Sequence, residues 1–153
     1  MSNFRELRTA RKGEAGERIV RQILEARGWT VYSAPAGPHP IDFIAWNGER
    51  WIAADAKTYP RRACCLDTGI DAQDYRKYMR LPFPVLLFFV DSIEQAIYCA
   101  FLEELAGERT EAHGKVFFPL ECLKIVRRLS PSELRAIGAE KEPERYQGIR
   151  KYF

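Results

Sequence analysis

The apolar run Val85–Val90 constrains the fold more than any other part of the sequence, because it contains no polar residue. Its β-branched and aromatic composition is typical of a strand, and the absence of alternation indicates a strand buried on both faces. A strand of this kind needs a layer of structure on each side of its sheet. After a turn at Asp91-Ser92, the sequence predicts Ala96–Phe101 as its partner strand.

A helix and a hairpin are predicted upstream of this run. Apolar residues recur at helical spacing over residues 12–27, and Gly28 stands where a helix C-cap belongs. Asn47-Gly48 separates two β-compatible runs, Ile41–Trp46 and Glu49–Lys57, which is among the strongest short-range hairpin signals.

The remaining segments complete a single domain. They are predicted as a short strand at Trp29–Tyr32, loops at Ser33–Pro40 and Thr58–Ile70, a helix from an Asp71 N-cap to Arg80, one helical turn at Leu102–Ala106, a strand at Lys115–Phe118 and a helix from the Ser130 capping box to Ile137. This order predicts an α/β domain over residues 1–138, with a mixed β-sheet flanked by helices. Residues 139–153 are polar and are predicted to form a tail or arm.

Composition excludes several other classes of protein. With 153 residues, 46% of them hydrophobic, the chain is long and apolar enough to bury one core, which excludes a disordered chain. No apolar run approaches the roughly 20 residues of a membrane span, and no apolar stretch follows the basic N-terminus. The four cysteines form no C-x-x-C pair, so we expect free thiols, no structural zinc and a cytoplasmic location.

The net charge of +3 is unevenly distributed. Basic residues exceed acidic ones over residues 1–27, 56–80 and 115–153, whereas residues 91–112 hold six acids and one base. This distribution predicts a basic side and an acidic side, as expected for a polyanionic partner. The alternative is interspersed surface charge on a solvated domain.

Asp42, Asp55 and Lys57 are the residues most informative about chemistry. If Asn47-Gly48 forms a two-residue turn, Asp42 lies diagonal to Asp55 across the hairpin. The period of two along a strand then puts all three side chains on one face. Diagonal positions are roughly 7–8 Å apart, a separation that two carboxylates can span by converging on a cation.

Glu17 adds a third carboxylate from the first helix. It precedes Val20 by three positions and Leu24 by seven, so it borders the apolar stripe and is expected to point toward the sheet. Glu14 competes for this role, but it lies a turn earlier and favours the positive N-terminus of the helix.

Acids held together on a sheet are costly, because like charges repel and burial penalises each carboxylate. A hard divalent cation such as Mg²⁺ removes this cost, and carboxylates with a backbone carbonyl, here that of Ala56, suit its oxygen shell. Lys57 would then orient a metal-activated water, help to deprotonate it and offset charge on a phosphate, as in metal-assisted phosphodiester hydrolysis. The alternative is that Asp42 and Asp55 are ordinary strand-end charges, one of them paired with Lys57.

The order and spacing of four segments resemble the PD-(D/E)XK nuclease superfamily, and particularly archaeal-type Holliday-junction resolvases. The segments are Lys12-Gly-Glu-Ala-Gly-Glu17, Ser33-Ala-Pro-Ala-Gly37, Pro40-Ile-Asp42 and Asp55-Ala-Lys57. Gln73 and the segment Tyr98–Leu105 are similar to the corresponding region of RecU-type resolvases. The resemblance covers residues 10–106.

This resemblance implies a restriction-endonuclease-like core and a metal-dependent DNA endonuclease, most similar to the junction resolvases and acting as a homodimer on branched DNA. It implies Glu17, Asp42 and Asp55 as ligands of Mg²⁺ or Mn²⁺, Lys57 as the catalytic lysine, and Gln73 as a residue that supports the site or contacts the scissile phosphate. An end-, flap- or sequence-directed nuclease is one alternative. Asp55 stands where these resolvases usually have glutamate, which leaves a catalytically inactive DNA-binding module as another.

Basic residues around the candidate site are the predicted DNA contacts. They are Lys12, His39, Arg61, Arg62, Arg76, Lys77 and Arg80. Arg76 and Arg80 share one helix face and could follow a phosphate backbone, with a merely solvated face as the alternative. Tyr59, Tyr75 and Tyr78 are interleaved with these basic residues. For the three rings, packing beside the sheet is favoured over stacking on nucleobases.

Overall fold

The computed structural model of this chain describes residues 3–35 and 40–138. The helices are α1 (Asn3–Ala26), α2 (Ala72–Met79), α3 (Leu102–Leu105) and α4 (Pro131–Ala136), with 3₁₀ turns at Ala106–Glu108 and Leu120–Cys122. The strands are β1 (Thr30–Ser33), β2 (Phe43–Trp46), β3 (Trp51–Lys57), β4 (Asp67–Asp71), β5 (Val85–Asp91), β6 (Ala96–Phe101), β7 (Thr110–Ala112), β8 (Lys115–Pro119) and β9 (Lys124–Arg128). The predicted tail and His39 lie outside the described residues.

The main sheet has six strands in the order β1-β2-β3-β5-β6-β9. Its neighbouring strands are antiparallel except for β3 and β5, which are parallel, so the sheet is mixed as predicted. One face packs on α1 and α4, and the other packs on α2 and on a second, smaller sheet. β5 is covered on both sides, because Leu87 and Phe89 belong to one core cluster while Phe88 and Val90 belong to the other.

The smaller sheet, of strand order β4-β8-β7, corrects the prediction of a loop over Thr58–Ile70. β4 pairs with β8, which lies about fifty residues later in the chain, and Gly69 allows the close approach. A Cβ atom at Gly69 would lie 2.6 Å from the carbonyl oxygen of Val116 and from a ring carbon of Phe117. Glycine is therefore required at this position of β4, although it is a poor strand residue elsewhere.

The β2–β3 hairpin forms as predicted, but its register differs. The loop has four residues, because Trp46 pairs with Trp51 and the Asn47 side chain accepts the backbone N–H groups of Glu49 and Arg50, both at 2.9 Å. The two tryptophan rings lie 5.2 Å apart, which adds a favourable aromatic cross-strand pair. The regular pairing ends at Phe43 and Ala54, because the backbone N–H of Asp42 also donates to the carbonyl of Ala54 (3.2 Å).

Other element boundaries are close to the predictions. α1 begins at Asn3 rather than near residue 12, and β7 and β9 were not predicted. The capping box of α4 forms, with Ser130 and Glu133 each accepting the backbone N–H of the other. Among the described residues, no helix is both long enough and apolar enough to cross a membrane.

Candidate active site

The carboxyl groups of Asp42 and Asp55 lie beside each other at the end of the β2–β3 hairpin. The backbone N–H of Asp42 donates to the carbonyl of Ala54 (3.2 Å), and its side-chain Oδ2 accepts the N–H of Ala56 (2.9 Å). These two bonds hold the Asp42 carboxylate across β3. Asp55 lies within β3 and is only 2% exposed.

Tyr78 and Lys57 both contact the same oxygen of Asp55. The hydroxyl of Tyr78, on α2, donates to Asp55 Oδ2 at 2.5 Å, and Lys57 Nζ lies 3.0 Å from that oxygen. Lys57 Nζ also lies 3.3 Å from Oδ2 of Asp74, so the ammonium bridges β3 and α2. The prediction that Asp42, Asp55 and Lys57 share one face of the hairpin agrees with these contacts.

The environment of the two aspartates disfavours their charged forms. Burial raises the pKa of Asp55 to about 7, with Lys57 opposing this effect and Asp42 adding to it. Burial also raises the pKa of Asp42, and the negative charge of Glu17 acts in the same direction. Both carboxyl groups therefore resist ionisation, even with Lys57 nearby. A bound cation would stabilise their charged forms.

Lys57 remains cationic in this setting. Burial alone would lower the pKa of its ammonium, but the charges and hydrogen bonding of Asp55, together with the charge of Asp74, outweigh burial and raise it. The lysine therefore supplies positive charge and hydrogen-bond donors to whatever binds beside it.

Glu17 reaches this site because α1 lies against the end of β3. A Cβ atom at Gly16 would lie only 2.0 Å from Oγ1 of Thr58, so the helix can approach this closely only with glycine there. Glu17 is partly buried, whereas Glu14 is exposed, which agrees with the choice of Glu17 as the inward-facing acid of α1.

The carboxylates of the site determine which kind of metal binding fits it. Within residues 3–35 and 40–138, no group of three or more Asp, Glu, His or Cys side chains is close enough to enclose an ion by itself. Mg²⁺ does not require such a cage, since it commonly binds one or two carboxylates and keeps several water molecules. The neighbouring pair Asp42 and Asp55, with Glu17 nearby, fits that mode of binding.

Arg61 is not the DNA contact that was predicted. It is 2% exposed, its guanidinium pairs with Glu94, and its backbone N–H donates to Asp91 Oδ2 (2.9 Å). A buried and paired guanidinium cannot contact phosphate in solvent, so Arg61 instead fixes the segment after β3 to the β5–β6 turn. Asp91 and Glu94 are buried in the same network, so two of the six acids of residues 91–112 do not contribute to an acidic surface.

The other predicted basic contacts differ in how available they are. Arg62 forms two bonds of 2.6 Å to Asp67 and stacks on Phe117, 3.6 Å from the ring centroid, which ties it to the smaller sheet. Lys12 is partly buried on α1. The basic side chains of α2 are exposed, and they are Arg76, Lys77 and Arg80.

The tyrosines separate into two groups. Tyr75 and Tyr78 are buried, which agrees with packing, whereas Tyr59 is 41% exposed. Gln73, predicted to support the site, is exposed in the first turn of α2.

Asp74 and Tyr78 were not predicted as site residues. They stand four positions apart on α2, so they share a helix face, and that face meets Lys57 and Asp55. The signal in the sequence is this spacing. It becomes informative only when α2 is known to pack beside β3.

Comparisons with known proteins bear on the fold. No family model and no curated protein matches the sequence. Among solved structures, the chain is similar to Hjc of Archaeoglobus fulgidus, a Holliday junction resolvase from an archaeal hyperthermophile, with a TM-score of 0.58 and 13% sequence identity. The similarity covers 86% of this chain and 99% of Hjc. The expected mixed α/β core is thus confirmed as the nuclease fold of Hjc.

Proposed function

We propose that this chain is a metal-dependent DNA endonuclease that hydrolyses phosphodiester bonds with a structure-selective, Holliday-junction-resolvase-like preference. The observation that carries the proposal is the pair of neighbouring aspartates, buried Asp55 and half-buried Asp42, beside Lys57. The fold shared with Hjc, a Holliday junction resolvase, supports it.

The proposed cation is Mg²⁺ or Mn²⁺, which Asp42, Asp55, Glu17 and the backbone carbonyl of Ala56 would hold. Because Tyr78 and Lys57 occupy Oδ2 of Asp55, Oδ1 is the oxygen that would bind the ion. When bound, the ion would supply Lewis-acid polarisation of the phosphate and of the attacking water.

The remaining chemistry belongs to the side chains of the chain itself. In hydrolysis, a water oxygen attacks phosphorus, the bond to the leaving sugar oxygen breaks, and that oxygen takes up a proton. Lys57 would donate hydrogen bonds to the water and the phosphate, while Asp74 keeps the ammonium in place. Gln73, exposed at the start of α2, would contact the scissile phosphate.

The proposed partner is branched or junction DNA, bound along the exposed basic side chains at α2. Lys12 and His39 are further proposed contacts. Two strands of a junction have to be cut symmetrically, so we propose a homodimer. A cytoplasmic location stays a prediction from the sequence.

The experiment compares a four-way junction, a flap and a linear duplex, each incubated with Mg²⁺ or with EDTA. Paired symmetric nicks confined to the junction and dependent on Mg²⁺ are the expected result. Asp42→Asn should abolish cutting and leave DNA binding largely intact. The control Glu49→Gln removes an exposed acid in the β2–β3 loop and should leave cutting unchanged. Full activity of Asp42→Asn would disprove the assignment of the site.

Two other outcomes have a defined meaning. Cutting of the flap or the linear duplex in preference to the junction would favour an end-, flap- or sequence-directed nuclease with the same site. Salt-dependent DNA binding without cutting of any substrate would favour the inactive module. The reason to consider this module is that Asp55 has a shorter side chain than the glutamate usual at this position in the resolvases.

A further inference from the structure

The β7–β8 hairpin places its tip beside the candidate active site. The tip is a tight two-residue turn of His113 and Gly114, both with positive φ (53° and 73°), as hairpin turns of type I′ require. The backbone N–H of Ala72, the first residue of α2, donates to the carbonyl of Gly114 at 2.9 Å. The tip is therefore fixed to the start of the helix that carries Asp74.

An exposed aromatic ring and an exposed cation meet at this tip. Lys115 Nζ lies 5.8 Å from the centroid of the Tyr59 ring and 3.5 Å from Oδ1 of Asp71. Tyr59 keeps 41% of its surface exposed and follows Lys57 by two residues.

An aromatic ring next to a lysine is the combination by which proteins bind single-stranded nucleic acid, with stacking on the base and attraction of the phosphate. A base inside a duplex is already stacked on its neighbours, so only an unpaired base can offer its face to such a ring. Another cation lies against α2, since Arg109 packs 5.5 Å from the ring centroid of Tyr75.

We infer that Tyr59 and Lys115 form a nucleotide-binding subsite that takes an unpaired base next to the phosphate at Lys57. The smaller sheet, through its β7–β8 hairpin, thereby favours DNA in which a base beside the cleaved phosphate is unpaired, as in a bulge or a flap, or is released from pairing at the branch point of a junction. This inference rests on the proposed function, from which it takes DNA as the partner and Lys57 as the position of the scissile phosphate.

The test measures binding by fluorescence anisotropy in EDTA, where no cutting occurs. The probes are a labelled duplex with a central three-nucleotide bulge and a fully paired duplex of the same length. Tyr59→Ala should weaken binding of the bulged duplex by about 5- to 100-fold, as expected for loss of one stacked base, and leave the paired duplex nearly unchanged. Tyr59→Phe keeps the ring and should bind like the wild type.

Lys115 has a separate readout and a matched control. Lys115→Ala should weaken binding of both probes and reduce the slope of log affinity against log salt by about 1, because one phosphate contact is lost. Lys124→Ala removes an exposed lysine from β9, at the far edge of the main sheet, and should change neither quantity.

The outcomes separate this inference from the proposed function. Equal loss of both probes in Tyr59→Ala, or no loss, overturns the subsite even if Mg²⁺-dependent cutting is observed. Selective loss of the bulged probe supports the subsite even if no substrate is cut. A thermal unfolding midpoint equal to that of the wild type shows that each variant is folded.

Discussion

The raised pKa of Asp55 predicts that the metal-free protein loses stability as the pH rises. The carboxyl group is buried in β3, and burial raises its pKa from the ordinary value of 3.8 to about 7. Between these two values the folded state holds a proton that the unfolded chain releases. Since the unfolded state then binds fewer protons, the free energy of unfolding falls with increasing pH.

The magnitude follows from the same two values. The slope is at most about 1.4 kcal/mol per pH unit, and the full difference between 3.8 and about 7 is on the order of 4 kcal/mol. Between pH 5 and 7 the loss should be about 2 kcal/mol, and above pH 7 the curve should level off. Asp42, whose pKa is also raised by burial, acts in the same direction.

The assay is urea unfolding in EDTA at a series of pH values from 5 to 8, followed by circular dichroism. Asp55→Asn has no carboxyl group to titrate and should flatten the dependence, while the exposed control Glu49→Gln should keep the slope of the wild type. Adding Mg²⁺ at pH 8 should stabilise the wild type more than Asp55→Asn, because the ion binds only the folded state. Equal slopes in the wild type and Asp55→Asn would refute the reasoning.

Three further perturbations test the packing around the site. Gly16→Ala places a methyl group against Oγ1 of Thr58 and should cost about 1–3 kcal/mol in urea unfolding, with Thr58→Ala restoring most of the loss in the double variant; no recovery would contradict the contact. Glu94→Ala leaves the buried Arg61 without its carboxylate and should cost about 3–5 kcal/mol by the same measurement, and a cost below 1 kcal/mol would contradict a buried pair. Ser130→Ala removes the cap of α4 and should cost about 1 kcal/mol, with faster amide hydrogen exchange confined to that helix.

The hairpin shows why part of the site could be predicted although its register was wrong. The prediction placed Asp42 opposite Ala53 and so Phe43 opposite Ile52, whereas the strands pair with Phe43 opposite Ala54. The two registers differ by two residues, and the side chains of a strand alternate with a period of two. The faces of the hairpin were therefore predicted correctly, since only an odd shift would have moved the acids to the other side.

The smaller sheet could not be predicted, because its strands carry little local signal. β4 reads Asp-Thr-Gly-Ile-Asp, which contains two aspartates and a glycine, all unfavourable in strands. Its stability comes from pairing with the distant β8, where Phe117 packs against Gly69. Arg61 illustrates the same limit, because its burial depends on Glu94, more than thirty residues away.

The position of β3 in the sheet has a consequence for how the site can adjust to a substrate. Asp55 and Lys57 pair with Leu87 and Phe89 of β5 at the centre of the sheet, whereas the pairing of β3 with β2 ends one residue earlier, at Ala54. Their backbone can shift only if the centre of the sheet opens, which is expected to be the most costly local opening in the molecule. Glu17 comes from the separate helix α1, which leans on that strand through Gly16. Any change of shape during binding should therefore be a movement of α1, with Glu17, toward the fixed residues of β3. The strand then sets the position that the substrate has to take.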